Sequence, residues 1–340
     1  MKKKFILLSI AGVILIAAAI ILLTNKGGLN SGLTGNVVQN THEINLAVLT
    51  GAPYSAFIYI AEKNGYFSDY NLKINYFGFP TGKLALDAVL QKGADMATVG
   101  DVPIALAGLA NQPISVVATI AYSNNNDQVV ARRDAGISRP EDLKGKKIAT
   151  TQGGGPLFFT YKFLGKYNIT KSDINLVFLN PPDMLPALVR KDIDAFIVFQ
   201  PFPLLAQRQL GDNAIIFAPD DIYGETWNIV TVKDYESSHD QDIENFIKAL
   251  IRAEEFYNTH PNESLDIIAN STSLDRSIIE NISATYHYKV EFNNILRDYL
   301  YEEAQWAMMN GYTSSNKTPN YDDIIDRKYL DSVDPQRVKI

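Results

Sequence analysis

Residues 147–156 read Lys147-Ile-Ala-Thr-Thr-Gln-Gly-Gly-Gly-Pro156, a short apolar run that ends in three glycines and a proline. About one hundred residues earlier, Glu43-Ile-Asn-Leu-Ala-Val-Leu-Thr-Gly-Ala-Pro53 has the same character. Each stretch is followed by apolar residues at helical spacing, which run to Lys166 and Lys63 respectively. The two stretches therefore predict the same unit twice: a buried strand, a turn and a helix.

A second pair of segments repeats at nearly the same offset. Lys92-Gly-Ala-Asp95 leads into Asp101-Val-Pro103, and Lys191-Asp-Ile-Asp194 leads into Gln200-Pro201. A repeat this long, with two matching segments in each copy, indicates two similar lobes. Two lobes in turn suggest a ligand cleft between them.

Strands and helices alternate through both copies, which predicts an α/β fold with mainly parallel sheets flanked by helices. The predicted strands are residues 44–49, 72–77, 96–99, 147–151, 175–179 and 195–199. The predicted helices between them are residues 54–65, 81–92, 102–110, 157–167 and 183–190. From about Asp240 onward the pattern is helical, and we expect the helices at residues 243–259, 262–269, 275–286 and 296–310 to pack on the first lobe.

The domain organisation follows from where the chain crosses between the copies. Strands at 115–121 and 128–132 carry it into the second lobe, and 227–232 return it. The predicted parts are residues 1–24 as an anchor or signal, 25–42 as a flexible linker, 43–127 with 231–340 as a discontinuous lobe 1, and 128–230 as lobe 2. Two crossings predict a hinge of two strands.

The N-terminus predicts export. Lys2-Lys3-Lys4 precedes an uncharged stretch, residues 5–23, which as a helix spans about 28 Å and crosses a bilayer core. We expect a retained anchor at the outer face of the cell membrane; a cleaved signal ending near Ala17-Ala18-Ala19 is the alternative. Either way the positive charge stays inside and the remainder is exported.

Composition excludes several classes of function. The net charge of −7, with no dense Lys/Arg stripe beyond the first residues, argues against a nucleic-acid partner. The chain has no cysteine, which excludes disulfides, thiolate nucleophiles, cysteine-ligated zinc and iron–sulfur clusters. The four histidines are scattered and have neither metal-ligand spacing nor a nucleophile alongside. We therefore expect no enzyme, no metal and no cofactor.

Ligands of open parallel sheets bind beyond the carboxyl ends of the strands, so the residues after each strand are the candidates. Gln152, Gly153, Gly154 and Gly155 open a helix, where free N–H groups favour an anionic head group; a plain flexible turn is the alternative. Asp101 follows Gly100 and reads either as a group that recognises an amine or hydroxyl or as a helix cap before Val102-Pro103.

Aromatic side chains also fall near the predicted strand ends and hinges. They are Tyr54, Phe79, Tyr122, Phe199 and Trp227. Each can stack on a flat or aliphatic ligand, although an aromatic residue at such a position is more often part of the core. Trp227 is the strongest candidate because its Glu-Thr-Trp-Asn setting is polar and adjoins the return crossing.

Six segments together carry a family resemblance. They are Gly65-Tyr-Phe67, Leu72-Lys-Ile-Asn75, Pro80-Thr-Gly82, Gly100-Asp-Val-Pro103, Asp142-Leu-Lys-Gly-Lys-Lys-Ile-Ala149 and Gln200-Pro-Phe202. In order and spacing they resemble the nitrate, sulfonate and taurine type of substrate-binding protein of ABC importers, the group that includes the NMT1/THI5-like proteins. The resemblance runs from about Ile44 to Val232.

The resemblance implies a two-lobed periplasmic-binding-protein fold of type II. The expected ligand is a small solute, with anions among the alternatives: a sulfonate, nitrate or bicarbonate, taurine, or a pyrimidine. The liganded, closed form docks on a membrane permease with its ATPase. By position the contacts fall on Tyr54, on Gly100 or Asp101, on residues 152–155 and on Gln200.

This chain departs from the family pattern in two places. Family members often carry Ser or Thr beside the glycines at 154 and 155, and a Trp-Asp pair where this chain has Phe199-Gln200. Two other functions stay open: a membrane-tethered sensor of the same fold, and an enzyme like the thiamine-pyrimidine synthases. The absence of cysteine argues against the enzyme, because those enzymes carry a cysteine-rich motif.

Overall fold

A computed structural model of the protein describes residues 41–340, which form one compact unit. The predicted anchor lies outside the described residues, as does the linker except for its last two positions. Among residues 41–340 no helix has both the length and the apolarity needed to cross a membrane. The N-terminal anchor therefore stays a prediction.

The described residues form two sheets with helices packed against them. The strands are β1 His42–Leu49, β2 Leu72–Phe79, β3 Met96–Gly100, β4 Ile114–Ser123, β5 Asp127–Arg132, β6 Lys147–Thr150, β7 Asn175–Phe178, β8 Ala195–Phe199, β9 Ala214–Phe217, β10 Glu225–Val232, β11 His287–Asn293 and β12 Val338–Lys339. The helices are α1 Ala56–Lys63, α2 Tyr66–Asp69, α3 Gly82–Leu90, α4 Asp101–Leu109, α5 Gly155–Lys166, α6 Pro181–Val189, α7 Phe202–Leu210, α8 Lys233–Glu236, α9 Asp240–Thr259, α10 Pro261–Thr272, α11 Arg276–Ser283, α12 Asn294–Met309 and α13 Lys328–Val333.

The sequence repeat corresponds to a repeat of topology. In the first sheet β1 lies between β3 and β2, with both pairings parallel. In the second sheet β6 lies between β8 and β7, again with parallel pairings. Strands β3 and β8, which pair with β1 and β6, are buried at every position, as strands covered by helices on both faces must be. Each copy of the repeat therefore places the turns after its three strands along one edge of its sheet.

The α/β class is confirmed, but each sheet is mixed rather than mainly parallel. The first sheet has the order β12-β11-β4-β10-β3-β1-β2, and β10 runs antiparallel to both β3 and β4. The second has the order β7-β6-β8-β5-β9, with β5 antiparallel to β8 and β9. The physical reason is that β5 and β10, the strands that the chain enters after each crossing between the sheets, run opposite to the strands of the repeat.

The strand pairing moves one predicted boundary. Residues 225–230 were assigned to lobe 2, yet β10 pairs with β3 and β4 along its length, for example Trp227 with Gly100. These residues thus share a sheet with lobe 1. The five-stranded sheet is drawn from residues 127–217, and the seven-stranded sheet from the segments before and after.

The C-terminal helices pack on the first sheet: α9 contacts α1, β2 and β11, and α12 contacts α4, β10 and β11. The expectation that everything after Asp240 is helical is wrong at β11. Tyr288, Val290 and Phe292 are buried at every second position there, which is strand periodicity. That strand is fixed by tertiary pairing with β4 and by Glu254, whose Oε2 accepts a hydrogen bond from Val290 N–H at 2.7 Å.

Candidate functional site

A small cavity lies where the carboxyl ends of strands from both sheets meet. Its walls are formed by Leu49, Tyr54, Thr81, Gly82, Lys83, Gly100, Pro103, Thr151, Gln152, Gly154, Gly155, Pro156, Phe199, Glu225 and Trp227. These residues follow or end β1, β2, β3, β6 and β8, or lie at the start of β10. The cavity thus occupies the edge at which the two copies of the repeat face each other.

The two walls are in close contact. The cavity volume is about 30 Å³, whereas pockets for small molecules usually enclose roughly 300–1,000 Å³. A solute larger than one or two water molecules therefore enters only if the walls separate.

Seven of the predicted site residues line this cavity. They are Tyr54, Gly100, Gln152, Gly154, Gly155, Phe199 and Trp227. Gly153 lies in the turn beside it, at φ +75°, where a Cβ atom would be 3.1 Å from Cδ of Lys83. The left-handed conformation of Gly153 explains why glycine stands in this turn.

The structure does not bring Phe79 and Gln200 to the cavity. Phe79 ends β2 and is half-buried against the core of the first sheet. Gln200 is buried at the start of α7, where its Oε1 accepts a hydrogen bond from Leu204 N–H at 3.4 Å. It lines a different pocket, together with Asn125 and Gln128.

The wall from the first sheet is aromatic. The rings of Tyr54 and Trp227 stack with centroids 4.2 Å apart and planes 14° from parallel. Tyr286, just before β11, packs on Trp227 at 5.2 Å. Both cavity-lining rings are almost wholly buried, at 3% exposure each. Both rings belong to the core and also line the cavity, so a core position does not exclude contact with a ligand at these two residues.

Asp101 lies behind the wall and not in it. It is the first residue of α4, fully buried, and its Oδ2 accepts from Thr226 N–H at 2.7 Å and from the Thr226 hydroxyl at 3.1 Å. Its Oδ1 accepts from the Tyr223 hydroxyl at 2.5 Å and from Val102 N–H at 3.0 Å. Four hydrogen bonds occupy this carboxylate, which ties the start of α4 to β10.

Glu225 was not among the predicted residues, and its carboxylate fills the space between the two glycine turns. A Cβ atom on Gly100 would lie 2.8 Å from Glu225 Oε1, and one on Gly155 would lie 2.5 Å from it. The other oxygen accepts a hydrogen bond from Asn126 Nδ2 at 2.7 Å. The glycines at 100 and 155 are therefore required by an internal carboxylate.

Asp127 is a second acidic group that the sequence analysis missed. It is 4% exposed, and neither of its carboxylate oxygens has a hydrogen-bond partner among the described residues. Its Oδ2 lies 3.2 Å from the position that a Cβ of Gly155 would take, beside Glu225. Glu303 of α12 is equally buried, and its Oε2 also lacks a partner within residues 41–340.

Burial dominates the electrostatics of this group. It raises the pKa of the Asp127 carboxyl well above its usual range, and the nearby Asp101 raises it further. Burial likewise raises the pKa of Glu225, with added repulsion from Asp127 and Asp101, and the pKa of Glu303. The pKa of Asp101 is raised by burial, which its hydrogen bonds partly oppose.

No cationic side chain of residues 41–340 forms an ion pair with Asp101, Asp127, Glu225 or Glu303. Lys83 lines the cavity, but its Nζ is bound to Asp87 at 2.6 Å. Nor does the described part of the chain contain a group of three or more His, Asp or Glu side chains arranged to hold a metal ion. The carboxyl groups in and behind the cavity wall therefore have no counter-ion among the described residues.

A larger surface groove, of about 830 Å³, lies at the other end of α4. Its walls include Gly108, Pro113, Tyr301 and Asn320, and its lining contains none of the residues that follow the repeated strands. The second sheet contributes nothing to this lining. The smaller cavity is the functional candidate because both sheets build it and because buried polar groups converge on it.

A family model described as NMT1/THI5 like matches residues 52–264. The chain belongs to this family. The match begins two residues before Tyr54 and extends past Trp227, so it includes the cavity from α1 to β10. The family membership predicted from the six segments is confirmed.

Two relatives of this NMT1/THI5-like protein are named as binding proteins. A putative aliphatic sulfonates-binding protein of Bacillus subtilis is 23% identical over 276 residues, covering 80% of this chain and 81% of the relative. The taurine-binding periplasmic protein of Escherichia coli is 25% identical over 209 residues, covering 60% of this chain and 63% of the relative. These relatives are binding proteins and not enzymes, which agrees with the prediction.

The fold of this NMT1/THI5-like protein is that of solved binding proteins. The alkanesulfonate-binding protein SsuA from Xanthomonas axonopodis pv. citri, solved with MOPS, superposes with a TM-score of 0.71 at 16% identity. The superposition covers 84% of this chain and 98% of that one. The predicted periplasmic-binding-protein fold is confirmed.

Proposed function

We propose that this protein is the extracytoplasmic substrate-binding component of an ABC importer and that it captures a small solute between its two sheets. The observation that carries the proposal is the cavity at the carboxyl ends of β1, β3, β6 and β8, whose walls come from both sheets. In open α/β sheets ligands bind at this edge. A solute held there contacts both sheets, and so favours the closed arrangement over an open one.

Two lobes and a hinge follow from this proposal. The lobes are the predicted 43–127 with 231–340, and 128–230, with residues 225–230 moved to the first because β10 pairs there. The hinge is the pair of connections from β4 to β5 and from β9 to β10. The closed, liganded form is the one that docks on the permease, whose ATPase drives uptake.

The location proposed is the outer face of the cell membrane, with residues 5–23 as the tether. The name of the taurine-binding periplasmic relative supports a site outside the cytoplasm. Fractionation of cells that express the full chain tests the tether. The chain should sediment with membranes at its full mass, and a shortened chain in the soluble fraction would show a cleaved signal instead.

Ligand binding is tested by thermal unfolding of the full chain in mild detergent against a panel of nitrate, bicarbonate, taurine, alkyl sulfonates, pyrimidines and small amines. A ligand at one hundred times its Kd stabilises the native state by about 2.7 kcal/mol, which corresponds to a rise in Tm of roughly 4 °C for about 300 folded residues. No rise with any member of the panel would contradict the proposal.

Two variants locate the binding. Trp227→Ala removes a cavity wall and should abolish the rise in Tm. Phe178→Ala is the matched control, since this aromatic side chain is 44% exposed on β7 and does not line the cavity. A rise that survives Trp227→Ala would place the solute elsewhere.

A further inference from the structure

The acidic character of the cavity bears on what the solute is. We propose that the solute is a small organic cation with N–H donors, of the ammonium, amidinium or guanidinium class. This inference rests on the proposed function and names the chemical class of the solute. It is carried by the side chains that converge on Gly155, by the absence of a counter-ion among the described residues and by the aromatic wall.

Asp127 carries a buried carboxyl group that lacks a hydrogen-bond partner among the described residues. A buried carboxylate is usually paired or hydrogen-bonded, because desolvation penalises a lone one. Asp127 has two buried oxygens without any partner within residues 41–340, and Oδ2 points to the cavity wall at Gly155. An ammonium or guanidinium group supplies both the charge and the N–H donors that these oxygens lack.

Glu225 contributes the second carboxylate. Its Oε1 and Asp127 Oδ2 lie within 3.2 Å of one point, the position of a Cβ on Gly155. Among residues 41–340, Glu225 accepts a side-chain hydrogen bond at Oε2 alone, from Asn126. Because Glu225 itself lines the cavity, Oε1 remains available to a donor on the solute.

The same carboxylate disfavours an anion. The N-termini of α4 and α5 are where a sulfonate or nitrate would find free N–H groups. Glu225 Oε1 already occupies the space beside Gly100 and Gly155 at those two ends. An anion would have to displace this carboxylate, and the cavity-lining Lys83 is already bound to Asp87 at 2.6 Å.

The aromatic wall suits a cation as well. Trp227 and Tyr54 line the cavity next to Glu225 and present a stacked pair of rings. A cation near the face of a tryptophan or tyrosine gains attraction from the ring quadrupole, and more when both are removed from water. Carboxylates on one side and rings on the other form a site for a cation with a flat or short aliphatic body.

The test compares solutes of matched shape and opposite charge. The pairs are guanidinium with nitrate, ethylammonium with ethanesulfonate, and benzamidinium with benzenesulfonate. Titration calorimetry on the full chain in mild detergent at pH 7.5 gives the affinity of each. At least one cation should bind at one site per chain and at least about tenfold more tightly than its anionic partner, which corresponds to about 1.4 kcal/mol.

Two nearly isosteric variants assign the binding to the carboxylates. Asp127→Asn and Glu225→Gln should each weaken the cation by about 10- to 100-fold, the loss expected for a charge-assisted hydrogen bond. Glu255→Gln is the control, since Glu255 is exposed on α9 and outside the cavity. Unchanged affinity in both cavity variants, with the fold intact by circular dichroism, would overturn the inference.

The outcomes separate this inference from the proposed function. If ethanesulfonate or nitrate binds more tightly than its cationic partner and Trp227→Ala abolishes that binding, the cation inference is wrong and the importer function stands. If no member of either series binds, and no solute of the wider panel raises the Tm, both are wrong. Cation binding that both carboxylate variants weaken supports both.

Discussion

The two walls of the cavity are built from matching segments of the repeat, yet they offer different chemistry. After β1 and on β10 the first sheet contributes side chains, with Tyr54 stacked on Trp227. After β6 the second sheet contributes a glycine turn, in which Gly155 leaves room for the carboxylate of Glu225. The shared topology therefore determines which edge of each sheet faces the ligand. Individual residues determine whether that edge presents aromatic rings, backbone groups or carboxylates.

The largest effect is expected on the aromatic wall. Trp227→Ala should lower the free energy of unfolding by about 3–5 kcal/mol, because it removes a buried indole that stacks on Tyr54 and packs against Tyr286, and leaves a void. Urea unfolding measures the change. Trp227→Phe should recover more than half of it, and Phe178→Ala should stay within about 0.5 kcal/mol of the wild type. A loss below about 1 kcal/mol would show that the wall contributes little to the core.

The glycine wall should respond next. Gly155→Ala places a Cβ 2.5 Å from Glu225 Oε1 and should cost about 1–3 kcal/mol through overpacking. Gly165→Ala, in the same helix with no neighbour within 4 Å, is the control and should stabilise by up to about 1 kcal/mol.

Combining Gly155→Ala with Glu225→Ala tests whether Glu225 is the group that requires glycine at position 155. Glu225→Ala removes the group that the new methyl would meet, so the cost of Gly155→Ala should shrink in that background. Additive costs in the double variant would mean that Glu225 is not what requires glycine at this position. Urea unfolding of the wild type, the two single variants and the double variant measures the coupling free energy between the two positions.

A smaller effect is expected from the buried charge itself. The pKa of Asp127 is raised in the folded state above its ordinary value of 3.8, so the native state binds more protons than the unfolded state. The resulting stabilisation is fully present below about pH 4 and is lost as the pH rises through the folded pKa. Asp127→Asn escapes this loss.

The measurement is the free energy of unfolding of the wild type and Asp127→Asn at pH 4 and pH 8. The variant should gain on the wild type as the pH rises, by on the order of 1 kcal/mol. Glu255→Gln should show no such divergence, because its side chain is exposed. Parallel curves for the wild type and Asp127→Asn would show that Asp127 is not a buried, unpaired acid in the folded protein.

The smallest effect on stability is expected at Gly154, next to Gly155, where the glycine substitution is expected to cost the most. A Cβ on Gly154 would make only ordinary contacts, at 3.6 Å to Thr151 Oγ1 and 3.7 Å to Pro156 Cδ. Gly154→Ala should therefore change the free energy of unfolding by less than about 0.5 kcal/mol. Because Gly154 lines the cavity, the Gly154→Ala protein should bind the solute more weakly than the wild type. Gly165→Ala should leave the affinity for the solute unchanged. A cost as large as that of Gly155→Ala would erase the distinction between the two positions.

Much of the fold follows from local sequence. The apolar runs before Pro53 and Pro156, with helical spacing after them, are sufficient for β1, α1, β6 and α5. Strand β11 was missed because its alternation is short and stands among helices, so pairing with β4 decides it. The mixed direction of the sheets was missed because a crossing strand has no local signal for its direction.

The candidate site was predictable in position more than in chemistry. Tyr54, Trp227 and the glycine turn were found because they follow strands. Asp127 and Glu225 were not, because each looks locally like a polar residue at a turn and they come together only through the tertiary fold. The signal available in hindsight is that both open a strand, at β5 and β10, next to the predicted crossings.

Closure of the two sheets around a solute is the central claim, and a distance across the cavity tests it most directly. The chain has no cysteine, so spin labels can be attached at Leu84→Cys on α3 and Val189→Cys on α6, both exposed. Distances are measured by pulsed electron resonance without solute and with a saturating amount of the solute that gives the largest rise in Tm. With solute bound, the distances between the two labels should become shorter and their distribution narrower. An identical distribution with and without bound solute would contradict it.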